Sequence, residues 1–397
     1  MPGDPASVFW LTVVATLAAG WAVTVAYNAH RSRRARRRRE RRFEGLRYLL
    51  DDKPDRALEV FLSLAPDDET VETHFALGSL YRRRGEVDRA IRVHQHIVDR
   101  TSLDARHRDA ALTELGKDFF RAGLLDRAEE LFLQLAEDGS EPAVALDYLL
   151  RIYELQRDWP RAIAINERLR TFGLPERSSA VAHYHCELAT AALAASDFDA
   201  ARSGLRKARD IQPGFSRSAI LRGDLARQQG EPELALKLYR SVVRRDFHLL
   251  PLVLPRLAEA AAQSSDPAAL EAAIAELIQL GAERAEIGYA AVVSGYFNDP
   301  LILECVREMV ATDNDLRDLT GALLEPGAEP SAAQLLATAE ALRNVVLRHA
   351  RYRCSECGMD SSSFLWHCPR CKSWGRYRAI AALEILPRAA RPGSNAD

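Results

Sequence analysis

The stretch THFALGSLYRRRGEVDRAIRVHQHIV, residues 73–98, has the spacing of two helices joined at Gly85. Small residues at Gly78 and Ala90 let the two helices cross closely, and Tyr81 fills the space beside them. Gly85 is expected to end the first helix in a left-handed conformation, which glycine adopts without steric cost. The stretch therefore predicts a helical hairpin.

The pattern recurs along the chain. Small residues stand at equivalent places in Ala57, Ala90, Ala128, Ala162, Ala201 and Ala235. Their spacings of 33, 38, 34, 39 and 34 residues lie near the 34-residue period of tetratricopeptide repeats. Gly45, Gly116 and Gly223 repeat the role of Gly78. Six matches in series predict a repeat array, with a seventh, degenerate repeat around Ala269 and helical hairpins of unassigned register over 285–349.

Such an array buries the apolar face of each hairpin on its neighbours, so it predicts a superhelical solenoid with a concave groove that binds proteins. The first helices of the second and third repeats should direct long basic side chains towards that groove. These candidate partner-binding residues are Arg82, Arg83, Lys117 and Arg121. The alternative is that these side chains simply solvate a surface.

The N-terminal run SVFWLTVVATLAAGWAVTVAY, residues 7–27, is uncharged and mostly apolar. As a helix it would rise about 30 Å, the thickness of a bilayer's hydrocarbon core. A cleaved secretory signal would need basic residues before this run, but Asp4 precedes it and an Arg-rich segment follows it. The sequence therefore predicts a single-pass anchor, with the bulk of the chain in the cytoplasm.

Charge is segregated along the chain. Residues 31–42 hold nine Arg and one Glu, or +8, although the net charge of the whole chain is only −2. Beside an apolar helix, this segment is typical of a collar on anionic lipid. No aromatic residue interleaves it, so we expect no nucleic-acid partner. The hydrophobic content of 47% excludes a disordered chain.

Two CxxC pairs near the C-terminus predict a metal site. Each pair directs two thiolates to one point, so two pairs complete a tetrahedral sulfur site that suits zinc or iron. Cytoplasmic context favours zinc. The predicted ligands of this one structural metal ion are Cys354, Cys357, Cys368 and Cys371. Four thiolates leave no open coordination position, so we expect no metal catalysis.

Neighbouring residues fit the same interpretation. Gly358 should provide the left-handed position of the first knuckle turn. His367 is expected to pack or to form a hydrogen bond rather than to bind the metal. Cys186 and Cys305 stand alone in helical patterns and should be buried. Disulfides would require an oxidising compartment, which the predicted topology argues against.

The order of apolar helix, repeat array and cysteine knot resembles the lipopolysaccharide assembly protein B family of Gram-negative bacteria. The matching stretches are RRRGEVDRAIRVHQ (82–95), AGLLDRAEELFLQL (122–135), AHYHCELA (182–189) and YRCSECG with LWHCPRCKSW (352–374). The resemblance implies an all-α superhelical solenoid with an N-terminal transmembrane helix and a small C-terminal rubredoxin-like knot. The predicted segments are an anchor (1–29), a collar (30–42), the solenoid (43–349), the rubredoxin-like zinc-binding domain (350–382) and a flexible tail (383–397).

The resemblance also implies a function. Members of the family are non-enzymatic adaptors at the inner membrane, which work with the protease FtsH and promote proteolysis of the deacetylase LpxC. In the family the knot packs against the repeats, and both parts are needed. The long Arg collar and the Ala- and Pro-rich seventh repeat depart from the family pattern.

Three other functions compete with this one. The first is a structural scaffold that gathers lipopolysaccharide assembly enzymes. The second is an enzyme, but the sequence has no Gly-rich phosphate loop, nucleophile elbow or HExxH motif. His183 and His185 lie two apart, so on a helix they face different ways and are predicted to be packing residues. The third is a zinc ribbon that binds nucleic acid through Arg351, Arg353, Arg370, Lys372, Arg376 and Arg378.

The sequence leaves open whether the chain forms a homodimer. Loss of the metal is expected to unfold the knot, because the knot has few apolar residues of its own. The repeats are expected to stay helical, since each repeat rests chiefly on its neighbours.

Overall fold

A computed structural model of the chain describes residues 21–60 with gaps, 71–100, 103–172, 178–266, 268–297, 299–312, 316 and 330–380. The chain divides into two compact units, which we call unit 1 (Met1–Leu174) and unit 2 (Pro175–Asp397). Within the described residues, both units are built from antiparallel helical hairpins, and unit 2 ends in a small sheet.

Unit 1 contains three hairpins with both helices described, and they correspond to the second, third and fourth predicted repeats. Their helices are α1 (Val71–Arg83), α2 (Val87–Val98), α3 (Ala105–Ala122), α4 (Leu125–Asp138), α5 (Pro142–Gln156) and α6 (Trp159–Thr171). Consecutive helices contact each other throughout this set. Residues of the first predicted repeat are only partly described, and the buried Ala57 packs in one cluster with Leu80 and Ala90.

Unit 2 continues the hairpins. Its helices are α7 (Ser178–Ala194), α8 (Phe198–Ile211), α9 (Ser216–Gln228), α10 (Pro232–Arg245), a short 3₁₀ helix (Phe247–Leu249), α11 (Leu250–Gln263), α12 (Ala269–Gln279), α13 (Arg284–Ser294), α14 (Pro300–Thr312) and α15 (Ala332–Leu347). The hairpin of α13 and α14 lies in the region for which the sequence predicted helices without register.

The sheet has the strand order β2-β1-β3, formed by β1 (Tyr352–Cys354), β2 (Asp360–Ser361) and β3 (Tyr377–Ala379). Both pairs are antiparallel, and Arg353 lies opposite Asp360 on one side and Arg378 on the other. The strands contain only two or three residues each. Such a small sheet cannot bury a core of its own, so its stability depends on the metal and on neighbouring helices.

The repeat interpretation is confirmed by packing inside each hairpin. The six alanines of the pattern are all fully buried. A Cβ atom placed on Gly116 would lie 2.8 Å from the Phe132 ring, so only glycine lets that ring approach. His94 and Tyr239 fill the same place opposite Gly78 and Gly223. The small residues are therefore required by close contacts within the hairpin.

Helix ends follow the chemistry of the sequence. Gly85 has φ of +81°, as the pattern predicted for the end of the first helix. Asp104 caps α3 by accepting a hydrogen bond from the backbone N–H of His107. Ser331 and Gln334 form a reciprocal capping box at the start of α15. These capping interactions determine where the helices begin and end.

The predicted membrane anchor falls largely outside the described residues. Of the run 7–27, only residue 21 and residues 23–27 are described, and they are helical. Within the portion of the chain that the structure describes, no helix is both long enough and apolar enough to cross a membrane.

Within the described residues, the largest hydrophobic core lies in unit 2 and includes the knot. Tyr352, Cys354, Cys368 and Tyr377 belong to the same buried cluster as residues of α9 to α15. Arg351 also donates a hydrogen bond to the carbonyl oxygen of Val293 in α13, at 3.2 Å. The knot is therefore part of the core of unit 2.

Gly288 offers a test of this packing. A Cβ atom at Gly288 would overlap the carbonyl oxygen of Cys305, and a backbone atom cannot rotate away. We expect Gly288→Ala to lower the free energy of unfolding by about 1–3 kcal/mol, as overpacking does. Chemical denaturation of the purified protein would measure it.

The matched control is Gly230→Ala in the same unit. Gly230 has φ of +77°, and no atom lies within 4 Å of the position that an added methyl group would take. The cost of this substitution is therefore conformational only, about 1 kcal/mol. Equal midpoints for Gly288→Ala and the wild type would contradict the close approach of α13 and α14.

Candidate metal centre

Two turns and the strand β1 bring the four predicted ligands together. Cys354 ends β1, and the turn after it is closed by a hydrogen bond from Gly358 N–H to the Cys354 carbonyl oxygen, at 2.9 Å. Gly358 has φ of +70°, as predicted. The second knuckle repeats this arrangement, because Lys372 N–H donates to the Cys368 carbonyl oxygen at 2.9 Å.

The four sulfur atoms fit a tetrahedral metal. All lie within 4.8 Å of one another. Cys354 and Cys371 are 3.8 Å apart at Sγ, and Cys357 and Cys368 are 3.6 Å apart. Zinc–sulfur bonds of about 2.3 Å place the sulfurs of a regular tetrahedron about 3.8 Å apart. The donor set therefore fits zinc or iron, and the geometry alone does not choose between them.

The thiols differ in how readily they ionise without a metal. The hydroxyl of Ser373, 2.8 Å from Cys371 Sγ, and then the Ser373 backbone N–H lower the pKa of Cys371 to about 6. Partial burial and the neighbouring thiols raise the pKa of Cys357 to about 11. A metal ion is therefore needed to hold Cys357 as a thiolate at neutral pH.

His367 lies beside the site without joining it. Its ring stacks on Trp374 with centroids 4.3 Å apart, and its Nε2 is 3.1 Å from the Lys372 carbonyl oxygen. The prediction that His367 packs and forms a hydrogen bond is confirmed. The two lone cysteines, Cys186 and Cys305, are fully buried, also as predicted.

The knot docks on the repeat helices of unit 2 through an aromatic cluster. His183 of α7 stacks on Trp374 with centroids 4.7 Å apart and meets Phe215 edge to face at the same distance. Tyr184 contacts Trp374 edge to face at 5.8 Å. Trp366 lies 5.9 Å from the His183 ring. The prediction that His183 is a packing residue is confirmed, and its main partner is the knot.

A buried cation holds the same interface. Arg217 of α9 is only 4% exposed, and its guanidinium lies 5.1 Å from the centre of the Trp366 ring. It donates to Glu187 Oε1 at 2.7 Å and to Nδ1 of His183 at 3.2 Å. Acceptance at Nδ1 places the proton of neutral His183 on Nε2. Arg217 thus joins α7, α9 and the knot.

Sequence reasoning missed Arg217, Trp366 and Trp374 as interface residues. One available signal was an arginine at a position of a repeat helix where the pattern predicts burial. The other was the presence of two tryptophans in a knot with few apolar residues. Neither signal predicts which residue it will contact, because His183 and Trp374 are 191 positions apart. The contact exists only in the folded chain.

Burial, together with the charges of Arg217 and His367, lowers the pKa of His183 to about 2. Unfolded histidine titrates near 6.5, so between these values the unfolded chain binds a proton that the folded chain does not. We therefore expect the free energy of unfolding of unit 2 to fall as pH drops below about 6.5, by up to about 1.4 kcal/mol per pH unit from this group.

Denaturation of wild type and His183→Phe between about pH 7.5 and 5.5 would test this, with metal content checked at each point. The phenylalanine keeps the stacking and cannot titrate. His185 and His248 also have lowered pKa values, so only the difference between the two proteins reports on His183. Parallel pH profiles would contradict the assignment.

The structure places the predicted partner-binding residues in different surroundings. Arg82 lies 2.6 Å from Asp118 and also pairs with Glu114. Lys117 lies 2.7 Å from Glu114. Arg83 is exposed and lines a cavity, and Arg121 is exposed one helical turn beyond Lys117. Partner binding by the predicted residues stays a prediction.

Several basic residues around the knot are engaged within it. Arg353 pairs with Asp360 at 2.7 Å, and Arg376 pairs with Glu356 at 3.2 Å. Arg378 donates to the Gly375 carbonyl oxygen. These contacts stabilise the turns of the knot.

Comparison with known proteins assigns both parts of the chain. Residues 352–376 match the family model described as rubredoxin metal binding domain, and residues 73–109 match the tetratricopeptide repeat model. Lipopolysaccharide assembly protein B of Escherichia coli (strain K12) is 32% identical over 352 residues, which cover 86% of this chain and 90% of that protein. The chain belongs to the lipopolysaccharide assembly protein B family.

Similarity extends to more distant proteins. The protein of the same name from Haemophilus influenzae is 27% identical over 365 residues, with 86% of this chain and 89% of that protein covered. Among solved structures, the C-terminal part of a repeat protein from Cytophaga hutchinsonii covers 70% of this chain and 98% of its own length, at 16% identity and a TM-score of 0.37. The matched domains and the site agree that the chain is an all-α tetratricopeptide solenoid with a C-terminal cysteine cluster.

Proposed function

We propose that this chain is a non-enzymatic adaptor that regulates lipopolysaccharide assembly, by promoting FtsH-dependent proteolysis of the deacetylase LpxC at the inner membrane. The observation that carries the proposal is the metal knot built into the repeat core through Arg217 and His183. Stacked repeats of this kind form an extended concave surface that is suited to binding partner proteins.

Membership of the lipopolysaccharide assembly protein B family supports the same proposal. The apolar run 7–27 and the Arg collar would tether the adaptor where a membrane protease works. A tether of this kind raises the local concentration of the partners without any new contact. Zinc is the metal we assign to the knot, because four thiolates in a reducing cytoplasm suit it.

The half-life of LpxC tests the proposed function. It should lengthen when the gene for this chain is deleted and return to the starting value when the wild-type chain is restored. A chain lacking residues 1–29, expressed at native abundance, should restore the half-life only in part. If deletion leaves the half-life of LpxC unchanged and reduces lipopolysaccharide, the adaptor function is wrong. The result would then favour a scaffold that gathers assembly enzymes.

A further inference from the structure

Unit 1 has an open groove along the first helices of two successive repeats. A cavity of about 630 Å³ lies between α1 and α3 and reaches the start of α5. Phe75, Ala76 and Ala110 contribute apolar or small side chains to its lining. We call the surface around this cavity the unit 1 groove. Its volume is in the range of sites that hold small ligands or a few residues of a peptide.

The same repeat positions in unit 2 bind the knot. Ala110 of the groove stands 18 residues before the small residue Ala128, and Arg217 stands 18 residues before Ala235. His183 has the same offset from Ala201. This face of the first helices therefore takes up a polypeptide in unit 2, whereas its counterpart in unit 1 lines a cavity.

The charges of the groove determine what fits it. Glu114 is neutralised by Lys117 and Arg82, and Arg82 also pairs with Asp118. Glu114 and Lys117 line the groove but neutralise each other, and Asp118 also lies 2.5 Å from Nδ1 of His94. The side chain of Arg82 is only 19% exposed.

Two cations remain outside these ion pairs. Arg83 lines one end of the groove and Arg106 the other, and neither forms a salt bridge within the described residues. Glu141 lines the rim, so the lining residues carry a net charge of +1. The ends of the groove are therefore suited to carboxylates, and its middle is suited to apolar side chains.

We propose that the unit 1 groove binds an extended segment of a partner protein that has acidic side chains at both ends and bulky apolar side chains between them. The proposal rests on the adaptor function and names the chemistry of the captured segment. From residue 106 to residue 117 helix α3 rises about 16 Å, which matches about five residues of extended chain.

The test uses the full-length purified protein and a labelled, capped peptide, Asp-Asp-Leu-Ala-Leu-Asp-Asp. Binding is measured by fluorescence anisotropy. We expect the peptide with Asn in place of Asp to bind at least about tenfold more weakly, and salt raised from about 50 to about 300 mM to weaken binding of the acidic peptide. The Arg83→Glu, Arg106→Glu double variant should lose at least about tenfold in affinity.

The matched control is the double variant Arg92→Glu, Arg108→Glu, which makes the same charge change at exposed residues outside the cavity lining. It should bind the peptide within about twofold of the wild type, since the contacts are unchanged and long-range charge is screened. Ala110→Trp supplies a steric test. Ala110 is exposed, so the indole should fill the cavity and block binding with an unchanged melting temperature.

Three results would overturn the proposal: no binding of the acidic peptide to the wild type, equal binding of the Asn peptide, or equal loss in the control variant. The LpxC half-life is measured separately in cells with the same variants. If the wild type fails to bind the acidic peptide and LpxC turnover is normal in Ala110→Trp cells, only the groove assignment is wrong. Unchanged turnover on deletion of the whole gene removes the adaptor function itself.

Discussion

The Cys354→Ser, Cys357→Ser double variant should lose its metal and a large part of the stability of unit 2. Two of four ligands are gone, so metal content should fall from about one ion per chain to near zero. Tyr352, Cys368 and Tyr377 of the knot lie in the same core cluster as the helices α9 to α15. Their release exposes apolar surface of the helices as well.

This extends the expectation from the sequence, which confined the damage to the knot. We expect the melting temperature of unit 2 to drop by about 10 °C, which corresponds to a few kcal/mol for a unit of this size. Circular dichroism and mass spectrometry of the intact protein would measure the two effects. The half-life of LpxC should lengthen together with them.

The matched control is the Cys186→Ala, Cys305→Ala double variant. It removes two buried thiols but leaves all four ligands, so it should keep its metal. A metal-free Cys354→Ser, Cys357→Ser chain with an unshifted melting temperature would show that the knot adds nothing to the core of unit 2.

Replacing Arg217 by alanine should detach the knot while the metal stays bound. The change removes the cation over Trp366, the donor to His183 and the partner of Glu187. Breaking a largely buried ion pair in this way costs about 3 kcal/mol or more, because the Glu187 carboxylate loses the guanidinium that neutralises it in the interface. Metal content should stay at about one ion per chain, since no ligand is altered.

Hydrogen exchange of the backbone amides in α7, α9 and the knot would measure the detachment. We expect faster exchange in all three segments of the Arg217→Ala protein. The exchange rates of Arg217→Lys should lie between those of the wild type and Arg217→Ala, because lysine keeps the charge and loses the planar stacking. Arg209→Ala is the control at an exposed arginine, paired with Asp210, and should leave exchange unchanged. Loss of metal in Arg217→Ala would mean that docking is needed to form the site.

The chain's local features were determined by its sequence. The period of the small residues predicted the hairpins, Gly85 and Gly358 predicted left-handed turns, and four cysteines in two knuckles predicted the metal site. Each of these signals depends on residues that are close in the chain or on one strict chemical requirement. Few residues can replace a buried alanine between crossing helices or a thiolate at a metal. Such positions can therefore be predicted from the sequence.

The tertiary structure decided which charged side chains pair within the chain and which remain available to bind partners. Arg82 was predicted to bind a partner, which stays a prediction, and the folded chain places Asp118 of the next repeat 2.6 Å from it. Arg217 had no predicted role, and the folded chain makes it the clamp of the knot. Such contacts join residues that are tens to hundreds of positions apart, and a charged side chain has many acceptable partners. Only the packing of helix against helix, and of the knot against both, selects one of them.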